Sequence, residues 1–218
     1  MRTELSSGTA AEIVHPPSGP SERGLVVIPD VMGMRPLFDQ LVARLAAENT
    51  WSVAAFELYP GLEHLEVADR LAAASELDDD RVLGDASAAA ELTGGATVGV
   101  LGFCMGGMYT LKVVGTGRFD RHCSFYGMIR VPEAWQGPGQ GEPLDALIAG
   151  EASSVLAIVG CDDAWTPPDE VSALEATGAT VVRYEGADHG FVHDSSRPAH
   201  RADDAADAWS RALVWLTP

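Results

Sequence analysis

Three short segments of this chain carry the residue types of nucleophilic catalysis. The first is Gly102-Phe103-Cys104-Met105-Gly106-Gly107. Glycines two positions either side of Cys104 permit a tight strand-to-helix turn, where side chains would strike the neighbouring backbone. That turn pushes the central residue outward, in the G-x-S-x-G nucleophile pattern with Cys in place of Ser. The thiol would then face a helix N-terminus, whose dipole favours thiolate. The second segment, Gly160-Cys161-Asp162-Asp163-Ala164-Trp165-Thr166-Pro167, offers two carboxylates, and the third, Glu185-Gly186-Ala187-Asp188-His189-Gly190-Phe191, offers a base. A thiol nucleophile needs a base and an acid to orient it, and the order nucleophile, acid, histidine is one known arrangement of such a triad. On the motif alone, Cys104 also reads as a small buried residue in a glycine-rich turn. A P-loop is excluded because no Gly-Lys-Ser/Thr follows, and the first strand leads into no G-x-G-x-x-G dinucleotide fingerprint.

These segments need elements to hold them, and the pattern supplies short apolar strands alternating with helices. Strands are expected at Leu25–Ile28, Trp51–Leu58, Thr97–Leu101, His122–Tyr126, Ser154–Val159 and Thr180–Tyr184. Helices are expected from Pro36 to Glu48 and over Glu63–Leu77, Asp80–Leu92, Met105–Val114, Leu144–Ile148, Asp169–Thr177 and Ala202–Leu216. The last has an apolar stripe of Ala205, Ala208, Trp209, Ala212 and Trp215. Strands apolar throughout and separated by helices imply a mainly parallel sheet covered on both faces, an α/β architecture. Each catalytic segment then follows its own strand. The 218 residues are read as one α/β domain, with 1–22 as a polar extension or edge segment.

Composition narrows the function classes. Hydrophobic residues make up 46% and charged residues 21%, ordinary globular values. A formal charge of −18 repels phosphate backbones and anionic headgroups, which argues against nucleic-acid and membrane partners. No apolar run approaches the roughly 20 residues of a membrane helix, and the N-terminus lacks the pattern of a secretory signal. Three cysteines without C-x-x-C spacing suggest neither a disulfide framework nor a zinc site, so the expected setting is the cytoplasm with reduced thiols.

The three segments together resemble the dienelactone hydrolase family of the α/β-hydrolase fold, from about Gly24 to the end. That family has a G-x-C-x-G-G elbow, matched by Gly102 to Gly107. Its acid lies in a G-x-x-D-x-x-x-P loop, matched by Gly160, Asp163 and Pro167, and its histidine in a segment matched by Ala187-Asp188-His189-Gly190-Phe191. The resemblance implies a Cys104, His189, Asp163 triad, with Asp162 as a loop or capping carboxylate. It implies oxyanion donors at the backbone N–H groups of Val31 and Met105. It also puts an acid beside the cysteine, at Asp30 here. Asp30 is one methylene shorter than the usual Glu, and an ordinary loop carboxylate is the other reading. If it reached the thiol it would disfavour resting thiolate and hold the nucleophile back.

The expected activity is metal-free and cofactor-free hydrolysis of a small-molecule ester or lactone through a thioester. Members that open dienelactone grip its carboxylate with two arginines, whose places here hold Tyr59-Pro60-Gly61 and His193, neither with a guanidinium fork. Dienelactone itself is therefore not the expected substrate, and Arg35 and Arg197 read as solvated surface residues. Tyr59, Trp165 and Phe191 are candidate pocket walls, with core packing as the alternative. Trp135 is a possible cap over the site. His193 reads as a loop or surface residue, and Cys123 and Cys161 as buried. His15, His64, His122 and His200 show no ligand spacing. Two other classes stay open: a non-catalytic ligand-binding protein on the same fold, and a redox-responsive thiol at Cys104.

Overall fold

A computed structural model describes residues 1–217. Eight strands form one sheet: β1 Arg2–Glu4, β2 Ala10–Val14, β3 Arg23–Ile28, β4 Ser52–Phe56, β5 Thr97–Phe103, β6 Arg121–Phe125, β7 Val155–Gly160 and β8 Thr180–Tyr184. Their spatial order is β1-β2-β4-β3-β5-β6-β7-β8. The β1–β2 and β2–β4 pairings are antiparallel and the rest parallel. This is the α/β-hydrolase arrangement that the resemblance implies.

Alternation along the central strands explains how two faces are covered at once. In β3, Val26 and Ile28 point into a core shared with α3 (Asp79–Thr93) and α4 (Met105–Lys112). Leu25 and Val27 point the other way, into a core shared with α1 (Pro36–Asn49) and α7 (Ala202–Leu216). β7 divides similarly: Leu156 and Ile158 face α7, while Val155, Ala157 and Val159 meet α5 (Pro143–Ala149) and α6 (Pro168–Ala176). Local signals set several ends. Pro36 opens α1, the Asp78 side chain accepts from the Arg81 N–H at the start of α3, and Gly94 closes α3 with φ 67°.

The structure adds detail to the pattern and departs from it in places. Residues 1–22, expected as a polar extension or edge segment, supply β1 and β2 at one sheet edge. In β2, paired between β1 and β4, only Ala11 and Ile13 are buried, so a strand covered on one face looks polar in composition. The helix expected over Glu63–Leu77 forms only as α2, Val67–Ala72, followed by a 3₁₀ turn over Ala73–Glu76. Arg70 explains this. Its guanidinium donates to the carbonyls of Glu63 and Leu65, at 2.7 and 3.1 Å, and to Glu57 Oε1 at 3.3 Å, which pins residues 63–65 in a loop. Among the described residues, no helix is long and apolar enough to cross a membrane.

Candidate active site

β5 runs two residues beyond its expected end, so Phe103 is its last residue and Cys104 is the turn into α4. Cys104 has φ 56° and ψ −118°, a conformation that costs an L-residue on the order of 1–3 kcal/mol. Close packing holds it there. A Cβ on Gly102 would lie 2.2 Å from the Gly106 carbonyl oxygen, and one on Gly106 would lie 2.2 Å from the oxygens of Ile28 and Pro29. The Cys104 N–H donates to the Phe125 carbonyl at 3.0 Å, tying the turn to β6.

The loops after β7 and β8 deliver the acid and the base. Asp163 is buried, its Oδ1 accepting the Trp165 N–H at 2.8 Å and its Oδ2 lying 2.8 Å from His189 Nδ1. Burial alone would lower the pKa of His189. The hydrogen bond to Asp163, then the neighbouring Cys104 sulfur, outweigh burial and push it up to about 10. Asp162 is exposed. The structure thus brings Cys104, His189 and Asp163 together. The N–H groups of Val31, on the loop after β3, and Met105, at the first turn of α4, have no protein acceptor among the described residues.

These groups open on a cavity of about 310 Å³, within the size range of small-molecule sites. Cys104, His189, Asp30 and Val31 line one part of it. Val67, Leu71, Trp135 and Trp165 make an apolar wall, and Arg35, Arg197 and Asp194 a charged one. Trp135 and Trp165 stack with centroids 5.4 Å apart, which ties the loop after β6 to the acid loop. Of the three candidate wall residues only Trp165 borders the cavity. Tyr59 is buried against Met105, its hydroxyl 3.2 Å from the sulfur, and Phe191 is buried against Tyr126 and Tyr184. Each is covered by its neighbours, Tyr59 by Met105 and the Arg70 guanidinium and Phe191 by the two tyrosines.

Asp30 borders the cavity but spends its carboxylate elsewhere. Arg35 clamps it with two bonds of 2.7 and 2.8 Å, His193 Nε2 lies 2.8 Å from Oδ2, and the Met32 N–H donates to Oδ1 at 2.9 Å. Burial would raise its pKa, but His193 and Arg35 hold it well below the usual carboxylate range. Arg35 and His193 are therefore not surface residues: their side chains are 18% and 1% exposed. Two further groups carry no motif. Glu57 is buried at the end of β4, where it accepts the Met34 and Tyr59 N–H groups and pairs with Arg70. Tyr126, with φ 40°, is buried against His189. A lone acid in the apolar run Trp51–Leu58 was the available signal for Glu57. Tyr126 had none.

Cys123 is buried in β6, whereas Cys161, expected to be buried, is only partly covered and lies 3.3 Å from Glu185 Oε1; all three cysteines are free. Among the described residues, no three His, Cys, Asp or Glu side chains are grouped to hold a metal.

Comparison with known proteins bears on the family and the fold. The sequence profile of the dienelactone hydrolase family matches residues 10–218. The chain is 32% identical over 169 residues to the "Probable 2-oxo-3-(5-oxofuran-2-ylidene)propanoate lactonase" of Bradyrhizobium sp, covering 70% of this chain and 65% of that relative's length. It is 28% identical over 204 residues to the carboxymethylenebutenolidase of Rhodococcus opacus, covering 88% of this chain and 79% of the relative. Among solved structures, a "Putative Dienelactone Hydrolase" from Klebsiella pneumoniae superposes with a TM-score of 0.84 at 27% identity, over 99% of this chain and 97% of that one.

Proposed function

The chain belongs to the dienelactone hydrolase family, and from that membership and the cavity above we propose that it hydrolyses a small ester or lactone through Cys104, His189 and Asp163. The observation that carries the reading is the Asp163–His189 hydrogen bond of 2.8 Å beside a cysteine on a strained elbow, with Cys104 and His189 facing one cavity.

In this mechanism the Cys104 thiol gives its proton to His189 as its sulfur adds to the carbonyl carbon, and the N–H groups of Val31 and Met105 take up the developing oxyanion. The carbon–oxygen bond to the leaving group breaks, and protonated His189 gives its proton to the departing alkoxide. In a lactone that alkoxide stays tethered to the acyl chain. The thioester that remains has no charge on sulfur, so one of the two influences that raise the His189 pKa disappears. The ring then accepts a proton from water, hydroxide adds to the thioester, and the carbon–sulfur bond breaks to release the acid. Asp163 orients the ring throughout.

The cavity also bears on the substrate. Arg35 is neutralised by Asp30, whereas Arg197 has no carboxylate partner among the described residues. We assign Arg197 the role of meeting an anionic substituent, with the Trp135–Trp165 wall taking the apolar part of the acyl group. The three free cysteines accord with a reducing compartment, and the chain is read as one domain acting in the cytoplasm.

The test is an acylation and turnover pair with p-nitrophenyl acetate and a panel of small lactones, followed by intact mass. Wild type should gain one acyl group at Cys104 and turn over, and Cys104→Ala should do neither. Full activity in Cys104→Ala would sink the mechanism. A wild type inert to every ester and lactone would leave a ligand-binding protein as the better reading.

A further inference from the structure

His193 is buried, yet both of its ring nitrogens are engaged. Nε2 lies 2.8 Å from Asp30 Oδ2, and Nδ1 is hydrogen-bonded with the Tyr126 hydroxyl. A single neutral tautomer satisfies the chain: Tyr126 O–H donates to Nδ1, and Nε2–H donates to Asp30. The ring also stacks on Phe103, the residue before Cys104, with centroids 4.7 Å apart. One side chain therefore touches the loop that carries the Val31 N–H, the strand that carries the nucleophile, and the tyrosine that abuts His189 at 5.2 Å. Packing alone would not call for this. A phenylalanine would fill the same stack, but it would leave the Tyr126 hydroxyl without its partner and Asp30 Oδ2 with Arg35 alone.

The Met34 N–H ties this loop to Glu57, but the Asp30 carboxylate itself is otherwise bound only from its own loop. Arg35, five residues along the same chain, and the Met32 N–H both bind it locally. His193 is its link to the histidine segment. From this geometry we infer that His193 is a positioning residue: it fixes the loop bearing the Val31 N–H relative to Cys104, and so sets the strength of the oxyanion site. The inference rests on the roles given above to Cys104 and Val31.

Alkylation and acylation separate this role from a merely structural one. Reaction of Cys104 with iodoacetamide needs the sulfur and His189 but no oxyanion donor, whereas ester turnover needs both. His193→Phe should lower kcat on p-nitrophenyl acetate on the order of 10- to 100-fold, with KM within about threefold and the Cys104 alkylation rate within about twofold. His193→Gln, whose amide keeps one donor and one acceptor, should recover most of the loss. A His193→Phe protein with kcat within twofold of wild type overturns the proposal. So does a parallel fall of alkylation and turnover, or a Gln variant no better than Phe. Should His193→Phe not fold, Tyr126→Phe decides. It should lose about threefold to tenfold in kcat with alkylation unchanged, and an unaltered kcat overturns the proposal. A wild type alkylated at Cys104 but acylated by no ester removes the enzymatic reading itself, before any variant is made.

Discussion

Gly106→Ala is a sharp test of the elbow, because the added methyl has nowhere to go. Its Cβ would sit 2.2 Å from two backbone oxygens, those of Ile28 and Pro29, which is about 1.2 Å inside ordinary contact. These oxygens cannot give way readily. Ile28 ends β3, which is paired on both sides, with β4 and β5. The N-terminal turn of α4 must move instead, and it carries Cys104 and the Met105 N–H. A misplacement of about 1 Å at a reacting centre costs on the order of 100-fold in rate. Overpacking costs about 1–3 kcal/mol of stability, offset in part by the roughly 1 kcal/mol advantage of Ala over Gly within a helix. The net loss should therefore stay under about 2 kcal/mol, or under about 8 °C in Tm for a chain of this size. Gly84→Ala is the control: it lies within α3 with nothing inside 4 Å of its Cβ, so the same change should raise stability by about 0.5–1 kcal/mol and leave turnover alone. The assay is kcat on p-nitrophenyl acetate beside thermal melts of both variants. A folded Gly106→Ala protein within threefold of wild-type kcat would refute the claim that this close approach sets the nucleophile.

Arg197→Ala should raise KM about tenfold or more for an ester bearing a carboxylate and leave p-nitrophenyl acetate within about twofold; equal effects on the two substrates would dismiss its assigned role. Glu57→Ala leaves Arg70 buried without its carboxylate and frees two loop N–H groups, so denaturant unfolding should show a loss of about 3–5 kcal/mol. With the His189 pKa raised to about 10, the alkaline limb of kcat/KM that this residue sets should fall near pH 10 rather than 6.5. The linked stability has the same sign: protonated His189 stabilises the fold fully below about pH 6.5, and that contribution is lost as pH rises through about 10. Asp30 runs the opposite way. Its pKa is lowered on folding, so its contribution is present above about pH 4 and is lost on acidification. Melts from pH 2 to 11 should show both edges, and Asp30→Asn should reduce the acid one.

Much of this was written locally. β8 and α7 have the boundaries their residue patterns predict, and α1 and α3 lie within a residue of theirs, because Pro36, Gly94 and the apolar period act over a few neighbouring positions. The glycines around Cys104 announce a sharp turn for the same reason. A strand such as β2 escapes this logic, since one covered face leaves a mixed composition. So does α2, cut short by an arginine that binds carbonyls five and seven residues back.

Partnership was what the sequence left undecided. Asp30 meets His193 across 163 positions, and Tyr126 meets it across 67. No spacing rule spans such distances, because the sheet order brings the loops after β3, β6 and β8 to one end. Whether a carboxylate faces a thiol or an arginine, and whether an aromatic ring lines a cavity or fills a core, depends on which strands are neighbours. Residue types and their order along the chain therefore determine what chemistry is on hand. Only the packed sheet decides which of those groups meet, and with what charge around them.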